Sequence, residues 1–291
     1  PTALKYAAQK ANDMSTGQLD LFAQMNDQNV KPNYVNCMDW SDKVRLYNEK
    51  QLLGLYLSGH PIDAYRMELI QYCGDVTLNN MIPGAPDSPN LITVGAVVNN
   101  AFQRISSKDG NKFYTMTLDD GTGTFDIMLF GKNAEIYADI EKKMNENRKK
   151  KKSANADDIN APLILIVTGY LSMTDEGMMK LRVKEIHTLE SLRVLKARKI
   201  TLNFTSKLFD DNIMFIDEVL MRNRVDVKEV NRELRQAEDP DSIIKGCTLN
   251  IIIDNKLLCI RDDKFRFVPR DDLVEGIRDR AGAQSVRIGY V

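Results

Sequence analysis

The chain has 291 residues, 43% hydrophobic and 28% charged, with a formal net charge of -1. That composition is ordinary for folded domains and excludes a chain that is disordered throughout. It also excludes nucleic-acid binding driven by an overall basic field, so any such contact must come from local patches. No apolar run approaches the roughly 18 to 20 residues that span a bilayer, and the N-terminus lacks the basic-then-apolar order of a secretory signal, so a cytoplasmic protein with no membrane partner is expected.

Residues 1–13 resemble the end of a helix, and a chain beginning with Pro1 reads as a piece of a longer one. Residues 14–36 are polar, contain Pro32 and read as a flexible connector. Within the connector stand Gln18, Leu19, Asp20, Leu21 and Phe22, an apolar cluster with no periodicity beyond Phe22 to carry it into a core. A scrap of helix packed on its own domain would look the same. The alternative is a short linear motif that orders on a partner, with Leu21 and Phe22 filling an apolar pocket and Gln18 bonding at its rim.

From Asp39, apolar residues recur at helical spacing: Val44, Leu46, Tyr47, Leu52, Leu53, Leu55 and Tyr56. Ser41 is the expected N-cap, and Ser58-Gly59-His60-Pro61 the expected stop. A second helix is expected from about Ile62, then a Pro-rich loop over 79–90. Five strand-like runs follow: LITVGAVVNNAFQRI, KFYTMTLDD, TFDIMLF, PLILIVTGYLSM and MMKLRVKEIHTL. A helix over about 133–147 separates the third from the fourth. Three strands, a helix and two strands is the order of an OB-fold barrel. Beyond residue 200, alternating strand and helix patterns predict a small α+β domain whose element order reveals no function.

On the fifth strand, Lys180, Arg182 and Lys184 alternate with Leu181 and Val183, which predicts three cations on one face. On the second, Met116 and Leu118 are expected inside and Phe113 and Thr115 outside. An aromatic beside cations suits a single-strand groove, and Arg104, Lys108 and Lys112 around the first hairpin extend the patch. A plain solvated strand face is the competing reading. Between Glu141 and Asp158 fall seven cations and four acids, read as a solvated, mobile loop. Asp119 and Asp120 form hairpin chemistry whose side chains diverge, not an acid/base pair. Cys37, Cys73, Cys247 and Cys259 show no CxxC spacing, and His60 is expected to fix a turn, so no metal site and no catalytic residue is assigned.

The segment EKQLLGLYLSGHPIDAY, residues 49–65, resembles the bacterial replicative C-family polymerases, the DNA polymerase III alpha subunits. In that family the segment follows a motif of the Gln-x-x-Leu/Met-Phe type and precedes an OB domain carrying a T-L-D-D and a V-M-L-F-like run. Gln18 to Phe22, Thr117 to Asp120 and Ile127 to Phe130 match in order and spacing. The resemblance implies a C-terminal alpha-subunit region: 1–36 with a motif for the sliding clamp (beta subunit), 37–88 a helical linker, 89–190 an OB-fold meeting single-stranded and primer-template DNA, and 191–291 an α+β domain docking the tau subunit of the clamp loader. It places the polymerase centre and its Mg2+ upstream, in a bacterial replisome, and makes this region non-catalytic. The helix around Asn212 to Asn223 holds candidate tau contacts. The rivals are an anticodon-binding OB domain of an aminoacyl-tRNA synthetase-like enzyme and a purely structural assembly module.

Overall fold

The structure, a computed structural model, describes residues 7, 8, 11, 39–107, 110–134, 136, 137, 140–144, 162–240, 243–260 and 264–290. Two compact units are present, Pro1–Arg45 and Leu46–Val291. In the first, residues 7, 8 and 11 are helical. Helix α1, Asp42–Leu53, begins where the Ser41 hydroxyl accepts the Val44 N–H. It stops well before the Ser-Gly-His-Pro sequence expected to end it. Gly54 takes a left-handed conformation, φ 77°, and its N–H closes on the Lys50 carbonyl. Glu49 then holds the chain after the helix, its carboxylate accepting the N–H groups of Leu57 and Ser58 at 2.7 and 3.0 Å. The apolar face predicted for this helix meets no core: none of its residues is buried, and Leu52 is 82% exposed.

After a 3-10 turn at Asp63–Tyr65 comes α2, Arg66–Cys73. The barrel follows: β1 Asn90–Ile105, β2 Lys112–Asp119, β3 Thr124–Leu129, β4 Ile164–Met173 and β5 Met179–Thr188. Their order is β3-β2-β1-β4-β5. β1 is long enough to serve two neighbours; its first half pairs with β4 and its second with β2, and a register shift between Val98 and Asn100 marks the bend. The edge strands β3 and β5 approach within 8 Å, Cα to Cα, and close the barrel. Alternate residues fill it: Ala96, Met116, Leu118, Ile127, Leu129, Leu165, Val167 and Leu181 are buried together. Tyr137 and Ile140 from the helical residues after β3, with Leu78 and Met81, cap that core. The strand order and alternation make this an OB-fold.

The C-terminal region begins with α3, Leu189–Lys196, a helix that the strand-like pattern before it does not announce. It continues with β6 Lys199–Phe204, α4 Ser206–Arg222, β7 Arg224–Asp226, α5 Val227–Gln236, β8 Thr248–Ile253, β9 Lys256–Ile260, β10 Phe265–Phe267, α6 Asp271–Ala281 and β11 Val286–Gly289. A four-stranded sheet, β11-β6-β8-β9, has one parallel pair, β6 and β8, and a separate ribbon pairs β7 with β10. Ile200, Leu202, Leu249 and Ile251 face Ile216 and Val219 of α4 and Leu273, Val274 and Ile277 of α6. The protein is thus α+β, with helices on one side of its second sheet.

That second core does not stop at the sheet. Ile62, Tyr65, Leu69 and Cys73 around α2 join it, as do Val97, Ile164 and Ile166 from the outside of the barrel. Gly95 permits the approach, since a Cβ there would stand 2.7 Å from Leu69 Cδ2. Within this layer lies a buried ionic network. Glu68, 5% exposed, accepts two hydrogen bonds from Arg193, one from Arg278 and one from the Tyr290 hydroxyl. Arg193 also reaches Glu275 and Asp271 on α6. Burial alone would raise the Glu68 carboxyl, but the two guanidinium groups and Tyr290 hold it below its ordinary value.

Candidate nucleic-acid interface

The outer face of β1, β2 and β3 is set by cross-strand pairing. Arg104 lies opposite Phe113, Phe102 opposite Thr115, Thr115 opposite Met128, and Thr117 opposite Asp126. Because Ala101, Met116, Ile127 and Leu129 take the barrel interior or its edge, the period of two sends Phe102, Phe113, Met128 and Phe130 outward. Phe113 and Phe130 stack, centroids 5.4 Å apart and planes 17° apart. Phe102, Met128 and Phe130 are 55, 52 and 58% exposed. Three rings and a thioether on one sheet face, left open to water, form a patch that a stacking ligand would cover. Arg104 lies at its border, Nε 3.4 Å from Thr115 Oγ1, and exposed Lys112 stands one residue before Phe113.

On β5, Lys180, Arg182 and Lys184 are all exposed while Leu181 is buried, yet the alternation does not run unbroken. Val183 pairs with Gly169 and Glu185 with Thr168, so Lys184 is the extra residue of a bulge and emerges beside Glu185, its Nζ 3.9 Å from that carboxylate. Arg182 leans on the Tyr170 ring at 5.1 Å. Lys180 pairs with Ser172 close to the β4–β5 hairpin. Just past Phe130, Asn133 donates to the Val183 carbonyl at 3.0 Å, which sets the end of β3 against the stretch of β5 that carries Arg182 and Lys184. The structure therefore groups Arg104 and Phe113 on one sheet face, sends Lys112, opposite Ile105, to the other parity at the start of β2, and places Arg182 and Lys184 along the closing edge. Lys108 and Gln18 to Phe22 lie outside the described residues.

Phe102, Met128 and Phe130 are not among the residues that the sequence assigned to the nucleic-acid face, although Met128 and Phe130 fall in the run that resembles the polymerase family. The signal is nonetheless present: in TFDIMLF, Phe125, Ile127 and Leu129 share one parity, which leaves Met128 and Phe130 on the other.

A second constellation joins the Leu-Ser-Gly-His-Pro segment to the β2–β3 turn. His60 Nε2 stands 3.3 Å from Asp119 Oδ1, the His60 ring meets Tyr56 edge-on at 5.1 Å, and Lys50 lies over Tyr56 at 4.9 Å. Burial pushes the imidazole down from its ordinary value even with Asp119 beside it. Burial works against the Asp119 carboxylate, but the Gly121 N–H, Asn99 and His60 hold it low. Asp120 points elsewhere and is 3% exposed, accepting from Leu78 N, Thr122 N and Oγ1, and Gly123 N. The two carboxylates thus serve as separate anchors for the loop before the barrel and its β2–β3 turn. Among the described residues no cluster of three or more His, Cys, Asp or Glu side chains is arranged to hold a metal ion, and no helix is long and apolar enough to cross a membrane.

Residues 92–189 match the tRNA anti-codon family, described as an OB-fold nucleic acid binding domain. The chain is 27% identical over 292 residues to a protein named DNA polymerase III subunit alpha from Escherichia coli K12, covering 99% of this chain and 22% of that protein. It is 32% identical over 203 residues to the protein of the same name from Pasteurella multocida, covering 69% of this chain and 16% of that one. It thus spans about a fifth of the length of these relatives. Among solved structures, a domain of replication protein A from Methanococcus maripaludis is 16% identical with a TM-score of 0.25, covering 39% of this chain and 93% of that one. Rim1, a mitochondrial single-stranded DNA binding protein from S. cerevisiae, is 8% identical with a TM-score of 0.24, covering 35% and 97%. Structural likeness this slight assigns nothing.

Proposed function

We propose, from the premise that this chain belongs with the DNA polymerase III alpha subunits along 99% of its length, that it is a tethering region of a replicative polymerase whose OB barrel holds unpaired template. The observation that carries the reading is the open face of Phe102, Phe113, Met128 and Phe130 bordered by Arg104, with Arg182 and Lys184 along its closing edge. Rings with accessible faces stack on bases of any sequence, and cations beside them neutralise phosphates, which is the combination a sequence-tolerant single-strand groove requires. The polymerase centre and its Mg2+ belong, on this reading, to other parts of the longer relatives. The barrel contributes position and adds no chemistry.

Two further contacts complete the proposal. Gln18 to Phe22 engages an apolar pocket on the sliding clamp, and the C-terminal α+β region docks the tau subunit of the clamp loader. Contacts of modest strength on one chain raise one another's effective concentration, so residence on DNA follows from multivalency without any single tight contact. Support for the clamp contact is the sequence alone. Replacing Leu21 and Phe22 by Ala is expected to abolish capture of the clamp in a pull-down and leave the melting temperature unchanged. A large fall in melting temperature would instead make these side chains part of a core.

The barrel reading is tested by fluorescence anisotropy with labelled single-stranded DNA across a salt series. Lys180→Ser, Arg182→Ser and Lys184→Ser together are expected to weaken binding and to reduce the slope of log K against log salt by about 0.7 for each phosphate no longer neutralised. An unaltered slope removes those cations from the site. The matched family's anticodon name favours RNA as a second reading. A strong preference for tRNA over single-stranded DNA in the same assay would establish it, and binding to neither would leave a structural module.

A further inference from the structure

Helix α5 lies far from the barrel in sequence and divides its charges in an unusual way. Val227, Val230 and Leu234 face inward, Val230 being 8% exposed. Lys228, Asn231, Arg232, Arg235 and Gln236 are exposed and line a cleft of about 450 Å³ that has no acid among its described walls. Lys228, Arg232 and Arg235 follow one another at i, i+4 and i+7, so they form one stripe along the helix, about 6 and 4.5 Å apart in rise.

The stripe works against the stability of its own helix. Lys228 with Arg232, Arg232 with Arg235, and Glu229 with Glu233 are like-charged neighbours one turn apart, each unfavourable, where alternating signs would have stabilised the turn. Lys228 sits in the first turn, where the helix dipole disfavours a cation. Glu229 and Arg232 have a spacing that permits an ion pair, yet no described carboxylate lies within 4 Å of any of the three cations. On the preceding helix, by contrast, Arg222 pairs with Glu218 at 3.0 Å. Cations kept apart from the acids on their own helix, around a concavity, remain available for an external polyanion.

No aromatic side chain is among the described walls of the cleft, which distinguishes it from the barrel face. It has charge and two amide side chains to offer and nothing on which a base could stack, so it suits a ligand whose bases are already paired. We propose that this face of α5 is a second DNA contact, one that grips the phosphate backbone of a duplex without regard to sequence. An acidic protein segment would answer the same charge; duplex DNA is favoured because, on the reading proposed above, the same chain already holds the unpaired strand of that DNA.

This duplex contact is independent of the barrel's and is tested with the barrel face disabled. In the full chain carrying Phe113→Ala, Phe130→Ala and Arg104→Ser, binding of a labelled 30-base-pair duplex is followed by anisotropy from about 50 mM to 200 mM salt. Adding Lys228→Gln, Arg232→Gln and Arg235→Gln is expected to reduce the slope of log K against log salt by about 2 to 3, near 0.9 for each phosphate no longer neutralised, with a melting temperature equal to or slightly above that of the parent, since like-charge repulsion along the helix is relieved. No measurable duplex binding before the α5 substitutions, or the same slope after them, overturns the proposal. So does displacement by polyglutamate as effective as displacement by unlabelled duplex at equal charge. Loss of single-strand binding in the barrel variant with duplex binding retained separates the two sites, so either can fail alone.

Discussion

Glu68→Ala is expected to lower the unfolding free energy of the Leu46–Val291 unit by about 3 to 5 kcal/mol in a urea titration, the range for breaking a buried ion pair from one side. The carboxylate takes Arg193 Nε and one terminal nitrogen at 2.8 and 2.9 Å, the second Arg278 terminal nitrogen at 3.3 Å and the Tyr290 hydroxyl at 2.7 Å. Arg193 is 1% exposed and Arg278 9%, so removing Glu68 leaves two guanidinium groups out of water with Glu275 and Asp271 as their remaining carboxylate partners. Glu68→Gln keeps the shape and loses the charge, and is expected to fall between. The simultaneous change Glu68→Leu, Arg193→Met and Arg278→Leu should recover only part of the loss, because apolar groups avoid the desolvation cost at those three positions but leave Glu275 without its guanidinium partners. A loss below about 1 kcal/mol for Glu68→Ala would mean that the network is hydrated and contributes little.

The same carboxylate gives the expectation a pH dependence. Its folded value lies below its ordinary 4.5, so the unfolded chain binds the proton more readily and the contribution is complete at neutral pH. It is lost as pH falls below about 4.5 and through the lower folded value. Acid unfolding monitored by circular dichroism should therefore begin at higher pH in the wild type than in the apolar triple variant.

How much of this is legible in the sequence divides by the range of the forces involved. The five barrel strands are legible because Met116 and Leu118, or Ile127 and Leu129, announce an inside by local alternation alone, and turn residues such as Gly121 mark where each run ends. The length of α1 is overestimated because its apolar spacing continues past Gly54, whereas the chain is turned there by Glu49, a side chain that bonds eight and nine residues ahead. Helix α5 goes undetected since it offers three apolar positions among seven polar ones, too few to mark a period. The bulge at Lys184 is invisible, being set by pairing with Thr168 and Gly169 and not by the strand's own alternation. Glu68 and Arg193 read as surface charges until the fold brings together residues 125 positions apart. Asp119 with His60 is hidden for the same reason, though each residue stands out separately.

Phe113→Ala with Phe130→Ala is expected to weaken binding of single-stranded DNA by at least about 30-fold. Each stacking partner removed is worth about 1 to 3 kcal/mol per base, and tenfold corresponds to about 1.4 kcal/mol. The two rings stack on each other at 5.4 Å, so a base can extend the stack from either exposed face, or part the rings at the cost of their mutual contact. Neither substitution removes a charge, so the salt slope should stay as in the wild type while the whole line drops. That outcome differs from the one expected of the β5 cations, where the slope itself changes. An oligonucleotide of equal length and charge made of abasic sites supplies the deciding control, because it offers phosphates without bases. Wild type and the double variant should bind it equally; an equal loss on both ligands would mean that the rings hold the strand's shape and do not touch the bases. With Phe130 58% exposed the fold has little to lose, and a melting temperature within a degree or two of wild type keeps the comparison clean. Adding Phe102→Ala should deepen the loss if the strand runs on from Phe130 across Met128 toward β1, and leave it unchanged if the strand turns instead along Arg182 and Lys184, so the direction of the template over the barrel follows from a single further variant.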